Sequence, residues 1–255
     1  MRNFFDLTGH VGLVTGGNGG IGLGMAKGLA AAGADVAIWG TNPDKNAAAT
    51  AELESIGTGK VLALRCDVGD EEQVDASFAA TVEALGKVDS CFANAGIGGG
   101  EKFTDMSLET WRRVQRVNSE GAFLTLRAAA RHLVERGEGG SLVGISSTSA
   151  IHGAPRGEPY AHSKGGMISM IKGLAVELAR YQVTANAIIP GWIATDMTAA
   201  QFAWEKFSDN VMPRIPARRW GDPEDFSGIA VYFASAASRY HTGDAVVIDG
   251  GYTIF

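Results

Sequence analysis

Apolar positions along the chain follow two alternating rhythms. Short runs of continuously apolar or β-branched residues occur at Val11–Thr15, Val36–Trp39, Val61–Arg65, Val88–Ala93, Ser141–Ile145, Thr184–Ile189 and Ala245–Ile248. Between them lie longer stretches rich in Ala, Leu, Glu or Lys, near 21–32, 43–56, 70–85, 107–135, 159–181 and 222–236, which predict helices. The order is strand, helix, strand throughout. Apolar strands joined by helical crossovers predict an α/β fold, a seven-stranded, mostly parallel, doubly wound sheet with helices on both faces. Such sheets bind ligands beyond the carboxyl ends of their strands, so a chemically suggestive residue counts for more when it follows a predicted strand.

Composition narrows the picture. A chain of 255 residues, 45% hydrophobic and 20% charged, can bury a large core without disulfides or metals, and no metal is expected. No Pro/Ser-rich linker, charge block or composition shift divides it, so residues 1–255 are expected to form a single domain. The net charge is −6 and the basic residues are scattered, which gives no footprint for nucleic acid or an anionic membrane and points to a small-molecule partner. Cys66 and Cys91 lie in apolar stretches and read as small buried hydrophobes of a reducing compartment. No apolar run approaches the roughly 20 residues that span a bilayer. The opening Met1–Asp6 lacks a signal-peptide core, so the expected location is cytoplasmic.

The first predicted strand runs into Thr15-Gly16-Gly17-Asn18-Gly19-Gly20-Ile21-Gly22, with a helix from about Ile21. Two registers fit: Gly17, Gly19 and Gly22 match GxGxxG, while Gly16, Gly20 and Gly22 match TGxxxGxG. Glycines allow a sharp turn and close approach to a diphosphate, and the helix N-terminus offers free N–H groups. In a chain with 35 glycines a chance turn is the competing explanation, but the strand before and helix after favour a dinucleotide. A carboxylate that would hold an NAD ribose belongs at the end of the second strand, where Gly40 stands. Asp35 comes too early, and Asp44 follows Pro43 at a predicted helix start, where capping explains it. Thr41, Asn42 and Lys45 are candidates to surround a 2′-phosphate, although no arginine stands there. The cofactor reading is NADP or NAD, with NADP favoured.

Tyr160 and Lys164 lie four apart at the start of a predicted helix and so share a face. A nearby ammonium favours a phenolate, which makes such a pair capable of acid–base work. An isolated YxxxK is ordinarily a surface neighbour pair. Ser146-Ser147-Thr148-Ser149, however, follows an apolar strand and so belongs at the same sheet edge as the glycine loop, although a serine cluster there is more often a loop or cap.

With these residues the chain resembles the short-chain dehydrogenase/reductase family along nearly its whole length. The resemblance rests on the Thr15–Gly22 loop, Asp67-Val68, Asn94-Ala95-Gly96, Asn118, Ser147, Tyr160-x-x-x-Lys164, Pro190-Gly191-x-x-x-Thr195 and Asp249-Gly250-Gly251. It implies a Rossmann fold and an NAD(P)-dependent oxidoreductase moving a hydride between nicotinamide and a carbonyl or secondary alcohol. In that family pattern Tyr160 exchanges the proton, Ser147 binds the substrate oxygen, and Lys164 binds the nicotinamide ribose and lowers the Tyr160 pKa. Asn118 positions a relay water. Gly16, Asn18, Gly20, Ile21 and Gly22 would cradle the diphosphate, with Gly40, Thr41 and Asn42 near the adenosine ribose and Asp67 and Val68 at the adenine. Asn94, Ala95 and Gly96 would lie along the adenosine and ribose, and Pro190, Gly191, Ile193 and Thr195 would fix the carboxamide.

The chain departs from the family pattern at Ala93, read as a harmless strand end, and at Glu120, which would face either a partner subunit or the substrate cleft. A lid is expected around 196–218, where Met197, Phe202, Trp204 and Phe207 suggest an apolar pocket or equally core packing. His152, Arg156 and Glu158 are candidates for recognising a polar substrate group, with a solvated loop as the alternative. The resemblance also implies a homotetramer or homodimer. The weighed alternatives are a cofactor-binding regulatory or scaffold protein without turnover, and a sugar-nucleotide epimerase or dehydratase, for which 255 residues leave little room.

Overall fold

In the computed structural model, described for residues 3–255, the apolar runs form β1 (Val11–Thr15), β2 (Asp35–Gly40), β3 (Val61–Arg65), β4 (Ser90–Ala93), β5 (Gly140–Ile145), β6 (Val183–Pro190) and β7 (Ala245–Ile248). They make one sheet in the order β3-β2-β1-β4-β5-β6-β7, and every neighbouring pair is parallel. The chain leaves the sheet's β3 edge to place β4 beside β1. The winding reverses there, which opens a crevice between the ends of β1 and β4.

The helices are α1 (Gly20–Ala31), α2 (Pro43–Ile56), α3 (Glu71–Leu85), α4 (Leu108–Gln115), α5 (Gly121–Arg136), the short α6 (Ser149–His152), α7 (Glu158–Leu178), the short α8 (Ala199–Phe202), α9 (Glu205–Val211) and α10 (Ser227–Ala234). Alternate strand residues feed opposite faces. Leu13, Trp39, Cys91 and Leu142 pack with Phe78, Leu126, Met167 and Ile171 from α3, α5 and α7, while Val14, Ile38, Phe92 and Val143 pack with Met25, Leu29, Leu53 and Phe233 from α1, α2 and α10. Burial on both faces is why the strands read as continuous apolar runs. Local chemistry sets helix ends: Asn42 and Asp70 accept N–H groups at the starts of α2 and α3, and Gly86 and Gly137 end α3 and α5 in the left-handed conformation.

Three predicted boundaries are corrected. The stretch 107–135 is α4 and α5 joined by a π-helical turn at Arg116–Glu120. The stretch 222–236 begins with a separate 3₁₀ turn, Pro223–Phe226, held by the Asp222/Asp225 capping box. The strand expected from Val88 starts at Ser90, because the Val88 N–H and carbonyl are taken by the side chains of His132 and Arg136. Cys66 and Cys91 are buried free thiols, and burial pushes the Cys91 thiol up to about 12. Among the described residues no helix is long and apolar enough to cross a membrane, and no cluster of three metal-ligating side chains occurs.

Candidate active site

The glycine loop links β1 to α1. Gly16 (φ +64°) and Gly20 (φ +51°) occupy the left-handed region, and a Cβ on Gly22 would lie 2.2 Å from the Gly16 carbonyl oxygen. Gly19 is extended and a Cβ there would meet nothing, so the backbone requires the Gly16, Gly20, Gly22 register. Helix α1 has no side-chain cap and no acidic residue in its first turn. Its leading N–H groups and positive dipole end therefore suit an anion, and a nicotinamide dinucleotide's diphosphate fits this cradle.

Across the crevice Asn94 ties β4 to β1. Its Nδ2 donates to the Thr15 carbonyl (2.8 Å), while the Asn94 and Ala95 N–H groups donate to Thr15 Oγ1 (3.1 and 3.0 Å). Gly96 continues beside the reacting group, since a Cβ there would sit 3.3 Å from Asn118 Oδ1 and 3.5 Å from Lys164 Nζ. Asp67 pairs with Arg116 (2.9 Å) and accepts the Gly69 N–H (3.0 Å), which shapes the loop after β3, and Val68 is buried against Gly121. At the end of β2 the Asn18 Nδ2 donates to Asn46 Oδ1 (2.7 Å), and a Cβ on Gly40 would lie 2.1 Å from that nitrogen. Asn18 fills the space a side chain at position 40 would need. Asn42 caps α2 with its oxygen, leaving its amide N–H groups free to donate, and Lys45 reaches Asp196 (2.6 Å).

Beyond the carboxyl ends of β4 and β5, Tyr160 and Lys164 project from α7. Lys164 is buried, its Nζ donates to the Ile145 carbonyl (2.8 Å) and lies 5.5 Å from the centre of the Tyr160 ring. Burial holds the Lys164 ammonium down to about 8. Burial also pushes the Tyr160 phenol above its usual range, with the neighbouring Ser147 hydroxyl pulling the other way. The Lys164 ammonium thus lies beside the Tyr160 ring while bonded to the Ile145 carbonyl. Ser147 Oγ accepts the Ser149 N–H (3.1 Å) at the start of α6, and its own proton remains available to donate.

Asn118 sits in the π turn and is 1% exposed. Its side chain accepts the Ile97 N–H (2.8 Å) and donates to the Ile97 carbonyl (3.0 Å) and Ser163 Oγ (3.1 Å). Gln115 just before the turn donates to the Pro159 carbonyl (2.8 Å), which locks α4 to the start of α7. Glu120 is exposed. Gly191, after Pro190 at the end of β6, packs on Asp249; the Thr195 methyl lies over Gly20, and Thr198 holds that segment through the Ile193 carbonyl.

The rim holds Phe202 and Phe207 of the expected lid and four residues that escaped the sequence reading, Trp192, Arg214, Trp220 and Tyr252. Trp192 meets Phe207 and Tyr252 edge to face, Phe202 stacks on Trp220 (4.0 Å between centres), and Arg214 lies 4.7 Å over the Tyr252 ring. Trp192 is adjacent to the quoted Pro190-Gly191 pair and Tyr252 to Asp249-Gly250-Gly251, so proximity to those motifs was the available signal; Arg214 had none. Of the loop candidates, His152 meets the edge of Tyr252 (5.9 Å), while the Arg156 N–H donates to Glu158 (3.2 Å). A concavity of about 860 Å³ opens at the opposite edge of the sheet among His10, Asp89 and Arg136 and includes none of the predicted site residues.

A nicotinamide-dependent oxidoreductase is the class of protein this fold and site define. Residues 16–253 match the family model described as enoyl-(acyl carrier protein) reductase. The chain is 37% identical over 246 residues to an L-rhamnose 1-dehydrogenase (NAD(P)(+)) of Sphingomonas sp. (strain SKA58), covering 96% of each. A crystal structure of a short-chain type dehydrogenase/reductase from Mycobacterium marinum superposes with a TM-score of 0.93 at 38% identity, covering 99% of this chain and 98% of that one. A gluconate 5-dehydrogenase from Burkholderia cenocepacia, in complex with NADP and tartrate, superposes with a TM-score of 0.92 at 34% identity, covering 98% and 97%. The chain belongs to the short-chain dehydrogenase/reductase family, and it is an NAD(P)-dependent enzyme acting on CH–OH and C=O groups.

Proposed function

We propose that this enzyme oxidises a secondary hydroxyl of a polyhydroxylated substrate, a sugar or sugar acid, or reduces the matching carbonyl, with NADP favoured over NAD. The observation that carries the reading is the meeting of Tyr160, Lys164, Ser147 and Asn118 beside the uncapped start of α1. The named relatives act on rhamnose and gluconate, which supports the substrate class. The NADP preference rests on the missing carboxylate at Gly40.

When bound, the nicotinamide takes or gives the hydride. Ser147 keeps its proton and donates a hydrogen bond through it to the substrate oxygen, where negative charge develops. In reduction Tyr160 delivers its proton to that oxygen; in oxidation the phenolate takes the hydroxyl proton. A phenol raised by burial is a ready donor in the first direction and needs a nearby positive charge in the second, which Lys164 supplies while protonated. Asn118 holds the Ile97 backbone and Ser163, and with them the floor from which a water relays protons outward. Gly16, Asn18, Gly20, Ile21 and Gly22 hold the diphosphate. Gly40, Thr41, Asn42, Asp67, Val68 and Asn94–Gly96 border the adenosine half, and Pro190, Gly191, Ile193 and Thr195 the nicotinamide half.

We also assign residues 1–255 to one domain with a lid at 196–218, a homotetrameric or homodimeric assembly, and a cytoplasmic location. A regulatory protein without turnover is disfavoured, because all four reacting residues are present and the relatives are named as dehydrogenases. The test is Tyr160→Phe: kcat falls by orders of magnitude while cofactor binding, followed by fluorescence titration, survives. Near-normal turnover would overturn the assignment.

A further inference from the structure

At the substrate rim, three side chains from different parts of the chain surround the ring of a fourth. His152 follows the Ser147 loop, Trp192 follows the Pro190-Gly191 pair, Arg214 lies in the lid segment, and Tyr252 lies just past β7. All four therefore stand at the carboxyl ends of β5, β6 and β7, the edge that carries the reacting group. Tyr252 is the hub: His152 meets its edge at 5.9 Å, Trp192 at 6.4 Å, and the Arg214 guanidinium lies 4.7 Å from its centre.

No protein group among the described residues takes the hydrogen-bonding capacity of these side chains, of which His152 and Arg214 are exposed. The Trp192 Nε1 is fully buried with no partner, although an indole N–H normally finds an acceptor when buried. Among the described residues the Arg214 guanidinium has no carboxylate partner, unlike Arg219, which is paired with Asp225. The His152 ring and Tyr252 hydroxyl likewise make no hydrogen bond there. The Asp249 carboxylate accepts the Gly251 and Thr253 N–H groups and forms no ion pair with Arg214. Unspent donors around a cation form a receptor for an acceptor-only group, and the planar guanidinium fork matches a carboxylate.

We propose that Arg214 and Trp192 bind the substrate's carboxylate, with His152 and Tyr252 completing the pocket, and so select a hydroxy or keto sugar acid over a neutral sugar. The proposal deepens the sugar or sugar-acid reading above and rests on it. Arg214 is a specificity residue at the far end of the substrate from the reacting carbon, so its loss is felt in substrate binding more than in the chemistry.

Steady-state kinetics with D-gluconate and 5-keto-D-gluconate as acidic probes and L-rhamnose as the neutral probe test it, using the full chain with its cofactor. Arg214→Gln is expected to raise KM for the acidic probes about 10- to 100-fold, the range for losing a charge-assisted hydrogen bond, with kcat changed far less. Trp192→Phe, which keeps the ring and removes only the N–H, is expected to act in the same direction more weakly, and Arg214→Lys to recover part of the loss. Inhibition by tartrate should weaken in parallel, while cofactor affinity by fluorescence stays unchanged. Wild-type turnover of L-rhamnose but not of the acids would overturn the inference and leave the wider reading standing. So would acid turnover that the Arg214 and Trp192 variants do not alter, or an equal loss on acidic and neutral probes. No turnover of any of these probes would overturn the substrate reading and this inference together.

Discussion

Placing Asp at position 40 probes why the enzyme lacks a ribose-binding carboxylate. The new Cβ would lie 2.1 Å from Asn18 Nδ2 and 2.7 Å from Asn46 Oδ1, so Asn18 must swing away. Asn46 cannot follow easily, because it is 6% exposed and its amide nitrogen is committed to the Gly40 and Leu64 carbonyls. Losing the Asn18–Asn46 bond removes about 1 kcal/mol and leaves a buried acceptor unpaired at about 1–3 kcal/mol, so Gly40→Asp should destabilise by about 2–4 kcal/mol. In a chain of 255 residues that is a Tm drop of about 4–16 °C by scanning fluorimetry, at about 2–4 °C per kcal/mol. The carboxylate also repels a 2′-phosphate, so kcat/KM with NADPH should fall at least about tenfold, while NADH is spared. Adding Asn18→Ala should relieve the contact with Asn18, the shortest one, and let the preference turn towards NADH. An unchanged Tm in Gly40→Asp would refute the packing reasoning, and a wild-type preference for NADH would refute the NADP reading.

Lys164→Met should abolish turnover yet not destabilise the fold at neutral pH. Its pKa is about 8 in the fold against an ordinary 10.5, so the unfolded chain binds the extra proton between those values and wild-type stability rises with pH across that window. Below pH 8 burying the ammonium costs about 3 kcal/mol, partly offset by its bond to Ile145; the variant's advantage in denaturant melts should shrink from pH 7 towards pH 10, and an advantage that grows instead would contradict the buried charge. Asn118→Ala deletes hydrogen bonds to both Ile97 backbone groups, which should lower stability by about 2–4 kcal/mol and kcat by at least about tenfold; a stable, fully active variant would remove Asn118 from the site. Sedimentation velocity should show a dimer or tetramer, and a monomer would contradict the proposed assembly.

Strand positions were readable in advance because burial on both faces leaves no polar alternation to obscure them, as at Leu13-Val14 and Leu142-Val143. Reading failed where a distant side chain decides the backbone's fate. Val88 looks like strand, yet His132 and Arg136 claim its hydrogen bonds. Arg116–Glu120 carries no periodic mark of a π turn. The glycine registers were indistinguishable until φ angles separated Gly16 and Gly20 from Gly19. Motif spacing located Tyr160 and Lys164, but whether one shifts the other's proton depends on burial and on Ile145 taking the ammonium, neither of which spacing encodes. Trp192 and Arg214 stood out only once their missing partners became visible in three dimensions.

The π turn sets the rotational phase of everything after it. An α-helical residue turns the chain by about 100°, so the wider loop at Arg116–Glu120 works as a one-residue offset between α4 and α5. With the offset, Val114 before it and Leu124 and Leu126 after it all face inward, and Asn118 does too. Excising one residue to restore an unbroken helix would swing one side of that junction through a quarter turn or more, exposing either the leucines or the amide. The surplus residue is thus inseparable from the amide it aims, and loop-shortening designs for this scaffold should leave it in place.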